Sequence, residues 1–156
     1  AIEKIKLSIL NSIYKMKIDP QDIVLEILEG LAFENIAELN DSIARLHQAG
    51  FRVSMDDFGS GYSSLNTLGK LHIDQIKLDR MFLMDLKDEQ RSSQNDVMLL
   101  IFELAKKLGI ETVTEGVETK EDEAFIKSMG CNYGQGYYYS KPIPANKFRT
   151  IFLMDS

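Results

Sequence analysis

Cysteine is nearly missing from this chain of 156 residues: the single thiol is Cys131. No internal disulfide can therefore staple the fold, and the composition suits a reducing cytoplasm. An excess of positive charge is also lacking. Lysine and arginine together number 18 against 24 acidic residues, giving a net charge of −6. Without a basic face, binding to nucleic-acid polymers or to an anionic membrane surface is excluded as the chain's business. No apolar stretch approaches the roughly 20 residues of a membrane span, and no signal peptide opens the sequence. No low-complexity linker or break in composition divides the chain. What remains is 44% hydrophobic and 27% charged, which is ordinary for one soluble domain with a single sizeable core.

The apolar pattern alternates between two periods. Strand-like runs occur at Ile23–Leu28, Phe51–Asp56, Gln75–Asp79, Glu111–Glu115 and Gly136–Ser140. Between the first two, Ile36, Leu39, Ile43 and Leu46 recur at helical spacing, with Asn35 and Glu38 resembling a capping box and Gly50 closing the helix. Val97, Leu100, Ile101, Leu104 and Leu108 form a second stripe, ended by Gly109. Shorter helices are expected near Glu121–Met129 and, behind Pro144, over Ala145–Leu153. Ile2, Ile5, Ile9, Ile13 and Met16 mark an amphipathic helix within residues 1–18, stopping before Asp19-Pro20. Repeated βα units over 23–153 call for an α/β fold with a parallel sheet under covering helices. A doubly wound sheet and part of a (β/α) barrel both satisfy that pattern.

Chemistry gathers at the C-terminal ends of the strands. Asp56 and Asp57 close the second run, followed by Phe58 and Gly59. Adjacent carboxylates repel and are costly when partly buried, unless a cation neutralises them. Mg2+ and Mn2+ seek oxygen ligands of this kind. The first strand carries Glu26 and is followed by Glu29. The third carries Lys77 and Asp79 on one face, the fourth ends in Glu115-Gly116-Val117-Glu118, and Gln135 precedes the fifth. A Lys77–Asp79 salt bridge and a solvated Glu118 are the plain structural readings of single members. Ligand sites in α/β folds gather at this end, and the set together points to a site for metal and an anion. His47, on a helix, and His72, on a connection, lack partners at metal-ligand spacing and read as surface or core filler. Cys131 reads as a small buried residue, Tyr137, Tyr138 and Tyr139 as strand formers, Lys120–Glu123 as a solvated helix start, and Ser63-Ser64 as a cap for the next helix.

The segments LEILEG, DDFGSGYSSL, IKLD, TEGVET and QGYYYSKPIP, in this order and at these spacings, resemble the EAL domain. That family comprises bacterial cyclic di-GMP phosphodiesterases and their degenerate binding relatives. The resemblance implies a TIM-like barrel that uses two Mg2+ or Mn2+ ions to hydrolyse cyclic di-GMP to linear pGpG. It implies that Glu26 and Asp56 ligate one metal, and that Asp56 bridges to a second held with Asp57 and Glu115. Catalytic roles fall to Lys77, Glu115 and Asp57, with Lys77 orienting or deprotonating the attacking water and stabilising phosphate charge. Gln135 supports the second metal's water shell. Phe58, Gly59, Lys77, Glu118, Gln135 and Tyr137 lie near the dinucleotide, and Glu29 braces the loop after its strand.

The namesake Glu-Ala-Leu motif and the Asn ligand that follows it do not occur here. A complete barrel of this type needs about 250 residues and eight strands. The chain is therefore expected to be the C-terminal part of an EAL domain, a partial barrel of about five parallel strands lacking the N-terminal ones, and inactive or impaired by itself. The parent could be tethered to a membrane through other domains and accompanied by GGDEF or sensory domains. Leu28 and Gly30 stand where active members usually carry Thr and Ser, and Thr114 where they usually carry Ala. These departures support the alternative of a non-catalytic domain that binds cyclic di-GMP or a protein partner. Another Mg2+-dependent phosphotransfer enzyme is the reading outside the family. Open edges at the first and fifth strands, with Ile23, Leu25, Val53 and Met55 uncovered on the inward face, imply self-association as a homodimer or larger assembly.

Overall fold

The computed structural model describes residues 9–10, 12–30, 35–59, 65–81, 83 and 92–153, without the side chains of 65 and 92–95. The front of the expected amphipathic helix, with Ile2 and Ile5, and the Ser63-Ser64 cap lie outside these residues. Residues 9–10 and 12–16 are helical. After a 3-10 turn at Pro20–Asp22 come β1 (Val24–Leu28), α1 (Ile36–Gln48), β2 (Arg52–Phe58), α2 (Leu65–Leu68) and β3 (Gln75–Leu78). They are followed by α3 (Ser92–Leu108), β4 (Glu111–Thr114), α4 (Lys120–Ser128), β5 (Tyr133–Gly134) and α5 (Ala145–Phe148). The strands form one sheet in the order β1-β2-β3-β4-β5, with every neighbouring pair parallel. Among the described residues no helix is long and apolar enough to cross a membrane.

Register settles which residues share a face, because side chains alternate along a strand. Glu26 pairs with Ser54, Ser54 with Gln75 and Gln75 with Glu111, so these four look to one side. Asp56 and Lys77 share it, two residues further along their strands. Leu25, Val53, Met55, Ile76, Leu78, Thr112 and Thr114 occupy the opposite side. There they meet Ile43 and Leu46 of α1, Met98, Ile101, Phe102 and Ala105 of α3 and Ile126 of α4, in one buried cluster that Leu25 flanks. The sheet thus has an apolar face against helices and a polar face turned away from them. This overturns the expectation that Val53 and Met55 would be uncovered: they face the helices and are 0% and 1% exposed.

The fifth strand also falls elsewhere than expected. Tyr133–Gly134 pairs with β4, while residues 137–139 form a turn. The tyrosine run has β-forming side chains, but Tyr139 and Ser140 donate backbone hydrogen bonds to the Gly136 carbonyl, at 3.2 and 3.4 Å, which curls the chain. The last helix is likewise shorter than its pattern, since α5 passes into a wider π-type turn over Arg149–Leu153. Asn35 does cap α1, its side chain accepting from the Glu38 backbone N–H at 3.2 Å. His47 is not mere filler: its Nε2 lies 2.9 Å from Asp74 Oδ2, which also accepts from the Val53 N–H at 2.7 Å.

Ile76 lies at the centre of the apolar face and is fully buried. Ile76→Ala should lower unfolding free energy by about 2–5 kcal/mol, through lost transfer energy and the cavity left behind. Urea denaturation followed by circular dichroism checks it; a loss below about 1 kcal/mol would show that this face packs loosely.

Candidate functional site

The polar face turns into a site at the C-terminal ends of the strands. Lys77, the third residue of β3, directs its ammonium among carboxylates from three other segments. Nζ lies 2.9 Å from Glu26 Oε1 on β1, 2.9 Å from Asp56 Oδ1 on β2 and 2.7 Å from Glu115 Oε1 just after β4. The lysine side chain is only 10% exposed, so its stem is packed and its charge is committed to these partners. Burial by itself would lower the ammonium pKa. Contacts with Glu115, Asp56 and Glu26 outweigh that effect and hold it above the ordinary lysine range. The expected Lys77–Asp79 bridge is not among these ion pairs; Asp79 Oδ1 accepts from the Met81 N–H at 2.7 Å.

A β-bulge explains how two neighbouring aspartates serve one site. Met55 pairs with Ile76 and Phe58 with Leu78, so three steps on β2 match two on β3. The slack is taken up at Asp57, whose φ of 57° lies in the left-handed region that non-glycine residues seldom adopt. Carboxylate oxygens of Asp56, Asp57 and Glu115 consequently lie within 4.8 Å of one another. Ser54 Oγ is buried with no hydrogen-bond partner among the described residues. Asp56 Oδ1 is buried too, and the ammonium donates to it at 2.9 Å.

The loop holding Glu115 is tied down on both sides. The Glu115 N–H donates to the Leu78 carbonyl at 3.0 Å, anchoring it to β3. Next, Gly116 turns with φ 72°, and a Cβ there would collide with Arg80 Cβ. Val117 is fully buried; its N–H donates to the Gln135 carbonyl at 3.1 Å and its carbonyl accepts from the Tyr138 N–H at 3.0 Å. Thr119 and Asp122 then form a reciprocal capping box for α4, and Asp122 Oδ2 also accepts from the Glu118 N–H at 3.1 Å. Asp122 is therefore buried at 6% exposure, and the helix start expected to be solvated is a built corner. Its signal, Thr-x-x-Asp at the front of a helix, was present in the sequence.

The other expected site residues are distributed unevenly. Glu29 is buried at 6% exposure immediately after β1. Gly59 follows Phe58 with φ 92° and is exposed. Glu118 and Gln135 are exposed beside the Glu115 loop. Tyr137 is 60% exposed, with Lys141 Nζ 5.5 Å from its ring centroid. Phe58 is 2% exposed and belongs to the helix-side core, so its side chain is packed away from the polar face. Cys131 is half-buried and tied by its Sγ to Thr114 Oγ1, at 3.2 Å, and to the Tyr133 carbonyl, at 3.1 Å. Thr114 is thereby spent on the helix side rather than on the site. Ser54 is the site-face residue that sequence reasoning passed over, since a serine inside a strand carries no motif.

The profile of the EAL domain family matches residues 5–142. Cyclic di-GMP phosphodiesterase NbdA of Pseudomonas aeruginosa is 40% identical over 120 residues, covering 77% of this chain and 15% of that protein. The PaMucR phosphodiesterase in complex with c-di-GMP superposes with a TM-score of 0.79 at 32% identity, covering 88% of this chain and 55% of its own. A manganese/cy-diGMP complex of Klebsiella pneumoniae BlrP1 gives 0.77 at 28% identity, covering 86% and 34%. The chain thus spans a minor part of that curated relative and about half of the PaMucR chain.

Gly136 is the point where the two site loops touch. A Cβ there would strike the Val117 backbone oxygen, nitrogen and carbonyl carbon, and the two hydrogen bonds holding Val117 prevent it from yielding. Gly136→Ala is expected to destabilise the fold by about 1–3 kcal/mol and to displace Glu115. Thermal melts check the first effect; a variant as stable as the unsubstituted chain would show that the loops are free to separate.

Proposed function

Since the chain belongs to the EAL domain family, we propose that its carboxylate cluster is part of a metal-dependent phosphodiesterase site hydrolysing cyclic di-GMP to linear pGpG. The observation that carries this reading is the convergence of Glu26, Asp56 and Glu115 on one ammonium at a single strand edge, with Asp57 beside Asp56 and Glu115. Mg2+ or Mn2+ suits these residues. All four are hard oxygen donors, and three bring oxygens within 4.8 Å of one another. Glu26, Asp56, Asp57 and Glu115 would hold the ions. When bound, divalent cations lower the pKa of a water and neutralise phosphate charge.

The chain's own residues supply the remainder. Lys77 places a fixed positive charge beside the carboxylates, suited to orienting an attacking water and to facing a phosphate oxygen. Gln135 and Glu118, exposed on loops tied to Glu115, border the same mouth and are suited to polar contact with the dinucleotide or its water shell. Tyr137 offers an exposed ring for stacking on a base. Gly59 leaves the backbone open for close approach. Phe58, being packed in the core, acts through the bulge it anchors. Glu29, buried next to β1, is suited to bracing the loop after that strand.

A second reading, a non-catalytic domain that binds cyclic di-GMP or a protein partner, draws on Leu28. It pairs in register with Asp56 and is 58% exposed, so an apolar side chain stands at the mouth where a hydroxyl would donate. In a complete domain carrying this segment, Asp56→Asn and Lys77→Ala should each lower cyclic di-GMP turnover by about a hundredfold or more. The isolated 156-residue chain should turn over little or none. Binding of the dinucleotide by the complete domain without any hydrolysis would replace the enzyme reading with the second.

Assembly belongs to the same reading. β1 and β5 are the sheet's edges, and Leu28 and Tyr133 lie exposed on them at 58% and 50%. Unpaired strand edges recruit another chain, so the isolated chain should self-associate as a dimer. Light scattering at micromolar concentration reads this directly, and a stable monomer with a cooperative melt would refute it.

A further inference from the structure

Two buried oxygens on the polar face lie on one strand: Ser54 Oγ, with no hydrogen-bond partner among the described residues, and Asp56 Oδ1, whose partner is the Lys77 ammonium at 2.9 Å. Ser54 Oγ and Asp56 Oδ1 are separated by a single residue of β2. Residues so spaced point to the same side, with Cα atoms about 7 Å apart. Ser54 is fully buried. A hydroxyl taken out of water without a partner is costly, and alanine would fill the same position without that cost. Gln75, the Cα partner of Ser54 on β3, is 9% exposed and puts a third polar side chain on that face beside the pair.

Buried waters collect where several polar groups surround a gap between elements and lack direct contacts. We propose that Ser54 is a positioning residue for Asp56: its hydroxyl donates to one buried water, which donates in turn to Asp56 Oδ1. The water gives the Ser54 hydroxyl a partner and Asp56 Oδ1 a second one beside the ammonium. It thereby helps fix the Asp56 carboxylate, much as outer partners orient the ligands of other metal sites. The neighbouring Asp57 is already held by the bulge, whereas Asp56 has only the ammonium at 2.9 Å to set its angle. This inference rests on the reading of the cluster as a cation site.

Calorimetric titration with Mn2+ tests it in the 156-residue chain. Ser54→Ala should weaken Mn2+ binding by roughly tenfold while leaving the metal-free melting temperature nearly unchanged, since the lost water-bridged hydrogen bond is offset by the burial cost of the hydroxyl. Ser54→Thr, which keeps the hydroxyl, should return the affinity to near its original value. If the threonine methyl proves too large and lowers the melting temperature, the alanine variant decides alone. Mn2+ affinity in Ser54→Ala equal to that of the unsubstituted chain would overturn the role of Ser54 and leave the cation site standing. An unsubstituted chain that binds no Mn2+ would overturn both.

Discussion

The ammonium of Lys77 is the constraint on which the rest of the site depends. Carboxylates from β1, β2 and the end of β4 converge on it, each from a different segment. Without a cation such a group would repel itself apart, and the cost would grow with burial. One buried lysine therefore has two consequences. It permits a dense acidic cluster on the polar face of a parallel sheet, and it adds a side-chain link between the C-terminal ends of the strands on that face. The carboxylates still outnumber the ammonium, so the cluster retains an excess of negative charge suited to further cations.

Convergence requires irregular backbone at a few points, supported by regular packing elsewhere. The helix-side face of the sheet is an uninterrupted apolar layer from Val53 to Leu78. That layer overdetermines the strands and lets β2 carry a bulge with Asp57 in a left-handed conformation. Phe58 is the hinge of this arrangement: fully packed on the helix side, it pins the residue after the bulge while Asp56 and Asp57 remain on the other. Gly116 and Gly136 do the corresponding work for the Glu115 loop, where backbone approaches too closely for any Cβ. The bulge at Asp57 and the turn at Gly116 thus sit directly beside Asp56 and Glu115.

Much of this was legible in the sequence because it is written in local patterns. Four strands and the longer helices follow from apolar periodicity, with boundaries within a few residues, since burial of one face decides them. The acidic strand ends were legible too, because charge is expensive in a parallel strand unless it lines a mouth. The fifth strand was misplaced: three successive tyrosines carry strong strand preference, but close contact between Gly136 and Val117 turns the chain before they can pair. The partners of Lys77 were not legible either. Asp79 is nearest in sequence, whereas the real contacts depend on register across four strands. Face assignment failed for a related reason. Val53 and Met55 look inward-facing in a bare alternation, and only the covering helices show which side is the core.

Leu28 shows how the two readings of the site meet in one place. It stands on the polar face, opposite Asp56 in register, and is 58% exposed. An apolar side chain there neither donates to the loop nor competes with cations, so it leaves the carboxylates available while removing one tether from the chain that follows β1. Glu29, the next residue, is buried instead. On the proposed reading, Glu26, Asp56, Asp57 and Glu115 would serve the metal, and Lys77 stands among them. Leu28 and Gly30 are where the chain departs from the pattern of active members. Loss of turnover with retention of binding would therefore originate at the β1 mouth rather than at the acidic cluster.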